Sequence, residues 1–144
     1  MLTAKEYLLQ AKNLNDYINS KFKEISQLRS RICSLQGVSY DGINVKGGTG
    51  HNFTDAVDSL LKLEQYIDGQ IDKLTQLKKE ISDKIGRLSD NRFKTVLTRY
   101  YLCNEKFETI AGEMNYSKRQ VLRLHGLALE EFRRIYSKMA PNVT

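Results

Sequence analysis

Residues 107–126 read FETIAGEMNYSKRQVLRLHG. Phe107, Ile110, Ala111 and Met114 fall at i, i+3, i+4 and i+7, the spacing of one buried helix face. Asn115 interrupts it, and after glycine asparagine is the residue that most readily takes positive φ. Ser117 with Gln120 three positions later is a capping box that opens a second helix. That helix buries Val121, Leu124, Ala128 and Phe132 and is expected to run to about Lys138. A helix, a tight turn and a second helix crossing closely over a small residue make a helix-turn-helix.

With Val121 and Leu124 docked, the first two turns of the second helix leave Lys118, Arg119, Leu122 and Arg123 pointing outward. Residues 117–125 hold those three basic side chains and no acid. Arginine can bridge O6 and N7 of guanine, lysine can meet a phosphate or guanine, and leucine can touch a thymine methyl. A helix N-terminus can itself take a phosphate. Charged helix faces are usually solvated surface, but here spacing, turn residue, cap and an acid-free turn agree. The candidate DNA-binding residues are therefore Ser117, Lys118, Arg119, Gln120, Leu122, Arg123 and His125, with base contacts expected from Arg119 and Arg123, and His125 either a phosphate contact or a plain surface histidine.

Upstream, Phe93, Val96, Leu97 and Tyr100 form a similar short stripe after a break at Ser89-Asp90-Asn91, and Tyr100-Tyr101 suits core with partial exposure. Residues 1–88 have a different period. Thr3 and Glu6 make a capping box, and Tyr7, Ala11, Leu14, Ile18, Ile25, Leu28, Ile32 and Leu35 follow an alternating four-three spacing. Val57, Leu60, Ile67, Ile71, Leu74, Ile81, Ile85 and Leu88 repeat it on a second helix starting near Asn52–Thr54, with Glu64 and Lys78 on the seam. Each rod spans roughly 50 Å at about 1.5 Å per residue. Gly37, Gly42, Gly47, Gly48 and Gly50 predict a loop over 36–52. Two rods joined by such a loop most simply form an antiparallel hairpin, and the pattern is also compatible with pairing to a second chain.

The 144 residues carry 23 Lys+Arg against 17 Asp+Glu, and 40% are apolar, which suffices for a core. The basic excess is local: residues 89–144 hold 10 basic and 6 acidic side chains, whereas residues 1–88 are close to balance. Cys33 and Cys103 stand far apart, which indicates neither a disulfide framework nor a metal knuckle. No apolar run reaches the roughly 18 residues of a membrane span, and the N-terminus lacks a signal-peptide core, so the expected compartment is a reducing cytoplasm. Gly42–Thr49 has Walker spacing, but Gly48 stands where the phosphate-binding lysine belongs. His51 and His125 have no metal-ligand spacing to a cysteine or acid. Asp55/Asp58 and Asp68/Asp72 suit a solvated helix face. No catalytic residue, metal site or cofactor is indicated.

The C-terminal third resembles region 4 of bacterial sigma factors. The likeness rests on Phe93 to Leu102 with Arg99-Tyr100-Tyr101-Leu102, on Phe107-Glu108-Thr109-Ile110-Ala111, on Tyr116-Ser117-Lys118-Arg119-Gln120-Val121 and on Leu124-His125-Gly126-Leu127-Ala128-Leu129. It implies contact with a promoter element and with RNA polymerase, and places the family's contacts on Lys118, Arg119, Leu122 and Arg123. Leu122 and Arg123 depart from the common sigma residues, which implies a different sequence preference. With its opening Leu2-Thr3-Ala4-Lys5-Glu6-Tyr7-Leu8 and paired rods, the whole chain is similar to phage late-gene regulators of the ArpU/RinA type.

The expected fold is all-α: a long antiparallel coiled-coil-like hairpin over 1–88, then a sigma-region-4-like helix-turn-helix domain over 89–144. The expected function is non-enzymatic transcriptional regulation in a bacterial host cytoplasm. Its expected partners are double-stranded DNA, host RNA polymerase and, through residues 1–88, further copies of the chain, with no membrane. A packaging adaptor resembling a small terminase subunit, or a polymerase-binding adaptor that does not read DNA, fits the same features.

Overall fold

Thr3 and Glu6 open the first helix reciprocally: Thr3 Oγ1 accepts from the Glu6 amide and Glu6 Oε2 from the Thr3 amide, both at 3.1 Å. From there the chain is all-α. The computed structural model describes residues 2–40 and 48–137. They form α1 (Ala4–Tyr40), α2 (Gly48–Ile85), α3 (Asn91–Leu97), a π-helical turn (Thr98–Leu102), α4 (Phe107–Met114) and α5 (Lys118–Ser137), with no strand among them.

Both ends of the loop expected over 36–52 are helical. Helix α1 continues through Gly37 to Tyr40, and α2 begins at Gly48, before the expected Asn52–Thr54. A glycine inside a helix costs only about 1 kcal/mol relative to alanine, which neighbouring turns can offset. Residues 41–47, most of the Walker-spaced segment, Lys138 and the tail from Ala140 lie outside the described residues.

The helices divide into two compact units, Met1–Leu14 with Leu74–Thr144, and Asn15–Lys73. They do not divide at the expected 88/89. In the second unit α1 and α2 meet within one chain. Ile18, Ile25 and Ile67 are buried, as the four-three spacing predicts, whereas at the start of α2 Ala56 is buried and the expected Val57 is only partly so. Tyr17 and Tyr66 share a hydrogen bond of 2.9 Å with their rings edge to face, and Lys21 Nζ lies 5.5 and 5.8 Å from the two ring centres. Arg29 reaches Glu64 at 3.5 Å. Ile71, expected on the seam, is 37% exposed, and Phe22 and Leu61 are exposed as well.

The first unit joins the start of α1 and the end of α2 to the C-terminal helices. Tyr7 Oη donates to Glu80 Oε1 at 2.6 Å and accepts from Lys84 Nζ at 2.8 Å. The Tyr7 ring stacks on Phe132 at 6.1 Å, and Tyr136 Oη donates to the Lys84 carbonyl at 2.6 Å. Leu8, Ala11, Ile81, Ile85 and Leu88 are buried around them. Heptad reading is local and cannot see this grouping, because residue 7 meets residues 80 and 132.

Asp90 caps α3 by accepting from the Arg92 amide at 2.8 Å. The single approach helix expected over 93–102 is instead α-helical to Leu97 and π-helical beyond it, where the Cys103 amide reaches back five residues to the Thr98 carbonyl at 3.0 Å. The extra residue in that turn changes the helical register. Tyr101 is fully buried while Tyr100 packs, half-buried, against the core cluster.

Candidate nucleic-acid interface

Helices α3, α4 and α5 share one apolar cluster, Val96, Ile110, Ala111, Val121 and Leu124. Ala111 is the small residue of α4 and is 5% exposed. Asn115 ends α4 in the left-handed region at φ 61°. Its amide donates to Gly112, and the Tyr116 amide donates to the Ala111 carbonyl at 2.9 Å, which satisfies carbonyls the helix end would otherwise orphan. Ser117 Oγ accepts from the Gln120 amide at 3.1 Å while Gln120 Oε1 accepts from the Ser117 amide at 2.8 Å. The turn residue and the cap are as the sequence predicts.

Lys118, Arg119, Gln120, Leu122 and Arg123 are all exposed on the first turns of α5. They are not equivalent. Lys118 Nζ lies 2.7 Å from Glu108 Oε1 on α4, and this lysine holds the Glu108 carboxyl below its ordinary range. Both partners are more than half exposed, so the pair contributes little to stability and can open for a phosphate. Among the described residues no ion pair engages Arg119 or Arg123. Leu122, 43% exposed, stands between them.

His125 is placed otherwise than expected. Its Nε2 shares a 2.7 Å hydrogen bond with Tyr101 Oη, and its ring stacks on Tyr101 with centroids 5.6 Å apart. Phe107 and Tyr100 meet the same ring edge-on at 5.1 and 5.7 Å. Burial, aided by the charge of Lys5, pushes its pKa from the ordinary 6.5 down to about 4. A neutral imidazole inside an aromatic cluster is part of the packing that seats α5, and the expected DNA contact is withdrawn. Two neighbours of the cluster carry charge: Lys12 Nζ lies 4.5 Å over the Tyr100 ring, and Arg99 pairs with Glu113 and, at 3.6 Å, with Glu105.

A recess of about 350 Å3 opens beside α5, lined by Arg92, Tyr116, Gln120, Arg123, Leu124 and Leu127. Arg92 comes from the first turn of α3. Its Nε and Nη2 donate to Asp90 at 3.2 and 2.9 Å, and Asp90 together with the Tyr116 hydroxyl holds the guanidinium charge firmly in place. Arg92 was not a candidate from the sequence. Its only signal is an arginine two positions after a capping aspartate, and nothing local tells that it faces α5.

No protein-family model, curated protein or solved structure matches the chain. Among the described residues there is no group of three or more His, Cys, Asp or Glu placed to hold a metal, and no helix long and apolar enough to cross a membrane. The arrangement offers chemistry of recognition: guanidinium forks, a helix N-terminus and one exposed leucine. These groups can bind phosphate and can meet base edges in a major groove wide enough for one helix.

Proposed function

We propose that the chain is a sequence-specific, duplex-DNA-binding transcriptional regulator of the phage late-gene type, acting with host RNA polymerase. In this reading α4 and α5 are a helix-turn-helix of the sigma-region-4 kind, α5 enters the major groove, and the helices of residues 1–88 form a coiled-coil-like element that also joins copies of the chain. The observation that carries it is the outward face of α5, where Arg119, Leu122 and Arg123 stand exposed while Val121 and Leu124 bury the opposite side. Phosphate contacts supply most of the affinity and base contacts supply the choice of sequence. A second copy bound through the long helices raises the effective concentration of the second α5 and fixes half-site spacing.

Selection of bound duplexes from a random pool by the full chain tests it. Enrichment of one sequence, with an Arg119→Ala variant binding that sequence no better than a scrambled one, is the expected result. Failure to retain any duplex, together with capture of host polymerase, would replace it with the adaptor that does not read DNA.

A further inference from the structure

The recess between α3 and α5 makes Arg123 different from Arg119. Both arginines lie on the exposed side of α5, but Arg123 lines the recess together with Arg92, which belongs to another helix. B-DNA's major groove is about 12 Å wide, and a helix with its side chains is roughly 10–12 Å across. One helix therefore fills the groove. A group on a second helix alongside it meets the groove wall, and that wall is phosphate and sugar. An anion shared by Arg92 and Arg123 is therefore a backbone phosphate and not a base.

We propose that Arg92, Arg123 and the recess between them clamp one backbone phosphate of duplex DNA, leaving base reading on α5 to Arg119 and Leu122. The proposal rests on the DNA-binding reading above and reassigns one of its arginines. The donor set fits. Asp90 takes one N–H each of Nε and Nη2 of Arg92 and the Tyr116 hydroxyl takes another, so of the guanidinium's five N–H groups some remain to donate to a phosphate oxygen. Gln120 spends its carbonyl oxygen on the Ser117 amide, so its NH2 group is free to donate. Tyr116 adds a hydroxyl on the same wall, and Leu124 and Leu127 give an apolar surface suited to the face of a deoxyribose. Arg92 is held in place before any ligand arrives, which lowers the ordering cost of the contact.

A salt series separates the clamp from the rest of the interface. The full chain is titrated with a panel of duplexes of different sequence, each two helical turns long, using wild type, Arg92→Gln, Arg123→Gln and Arg92→Lys, with thermal melts to show that each variant is folded. Each neutralised phosphate contributes a slope of about −0.9 in log K against log salt, or roughly eightfold in affinity at 0.1 M. Arg92→Gln and Arg123→Gln are each expected to reduce the magnitude of the slope by about one, and to weaken every duplex by the same factor. Arg92→Lys keeps the charge and is expected to keep the slope. An unchanged slope in Arg92→Gln, beside a wild type of steep slope, overturns the clamp and leaves the DNA reading standing. So does an Arg123→Gln variant that changes the ranking of sequences, because that arginine would then touch a base. A wild type with no salt dependence removes the DNA reading and the clamp together.

Discussion

Acidifying the protein should unseat α5 through one imidazole. His125 sits between Tyr101 and Phe107, and its pKa falls from 6.5 to about 4 because burial penalises the charged ring. In the unfolded chain the same imidazole takes its proton near 6.5. Above that pH both states are neutral and the group is silent. As pH falls from 6.5 to 4 the unfolded state binds the proton first, so stability drops across that window and levels off below the folded pKa. Each pKa unit corresponds to 1.36 kcal/mol, and after a discount for the ring's partial exposure the loss is about 2 kcal/mol. Hydrogen bonds from Tyr7, Arg92 and Lys118 lower the pKa values of the Glu80, Asp90 and Glu108 carboxylates, so a His125 variant is needed to separate the imidazole from them. Urea unfolding at intervals between pH 7.5 and 4.5, in a His51→Gln background, should show the loss in the parent and not in a His125→Gln partner. The imidazole resonance of His125 should titrate near 4. A midpoint at 6.5 or above, or equal acid sensitivity in both proteins, would refute the buried-imidazole account.

Three further outcomes follow from the packing. Ile110→Ala should cost roughly 2–5 kcal/mol in urea unfolding, since Ile110 is fully buried at the centre of the α3–α4–α5 cluster. Asn115→Gly should leave stability within a few tenths of a kcal/mol or raise it, while Asn115→Val should lower it by about 1–2 kcal/mol, because φ is 61° there. Tyr7→Phe removes a hydroxyl that bonds both Glu80 and Lys84 and should cost about 1 kcal/mol. That cost should appear in the same transition as the Ile110→Ala loss, because both residues belong to one compact unit.

Local features of the structure were legible in the sequence. Both capping boxes, Thr3 with Glu6 and Ser117 with Gln120, form as their three-residue spacing requires. Asn115 takes positive φ where the apolar stripe breaks; Ile110 and Ala111 on α4 and Val121, Leu124, Ala128 and Phe132 on α5 are buried as their spacing selects, with Phe107 and Met114 partly buried beside them. What escaped depends on residues far apart in sequence. The grouping of α1's first turns with α5 runs through Tyr7, Glu80 and Phe132. The burial of His125 depends on where Tyr100, Tyr101 and Phe107 come to lie, and the π-helical turn that sets Tyr101 inward has no local signature. Glycine-rich composition misled in a different way: a helical glycine is only weakly unfavourable, so Gly37 and Gly48 were absorbed into α1 and α2. Among the candidate residues, Lys118 and Arg119 stand on the exposed turn as expected, while Arg92 entered only through three-dimensional proximity.

The central claim is that α5 is the surface that meets DNA. Titration of the isotope-labelled chain with its selected duplex, followed by amide chemical shifts, addresses it most directly. The largest shifts are expected on residues 117–127 and on Arg92, fading as salt is raised. Shifts absent from α5, or unaffected by salt, would contradict it.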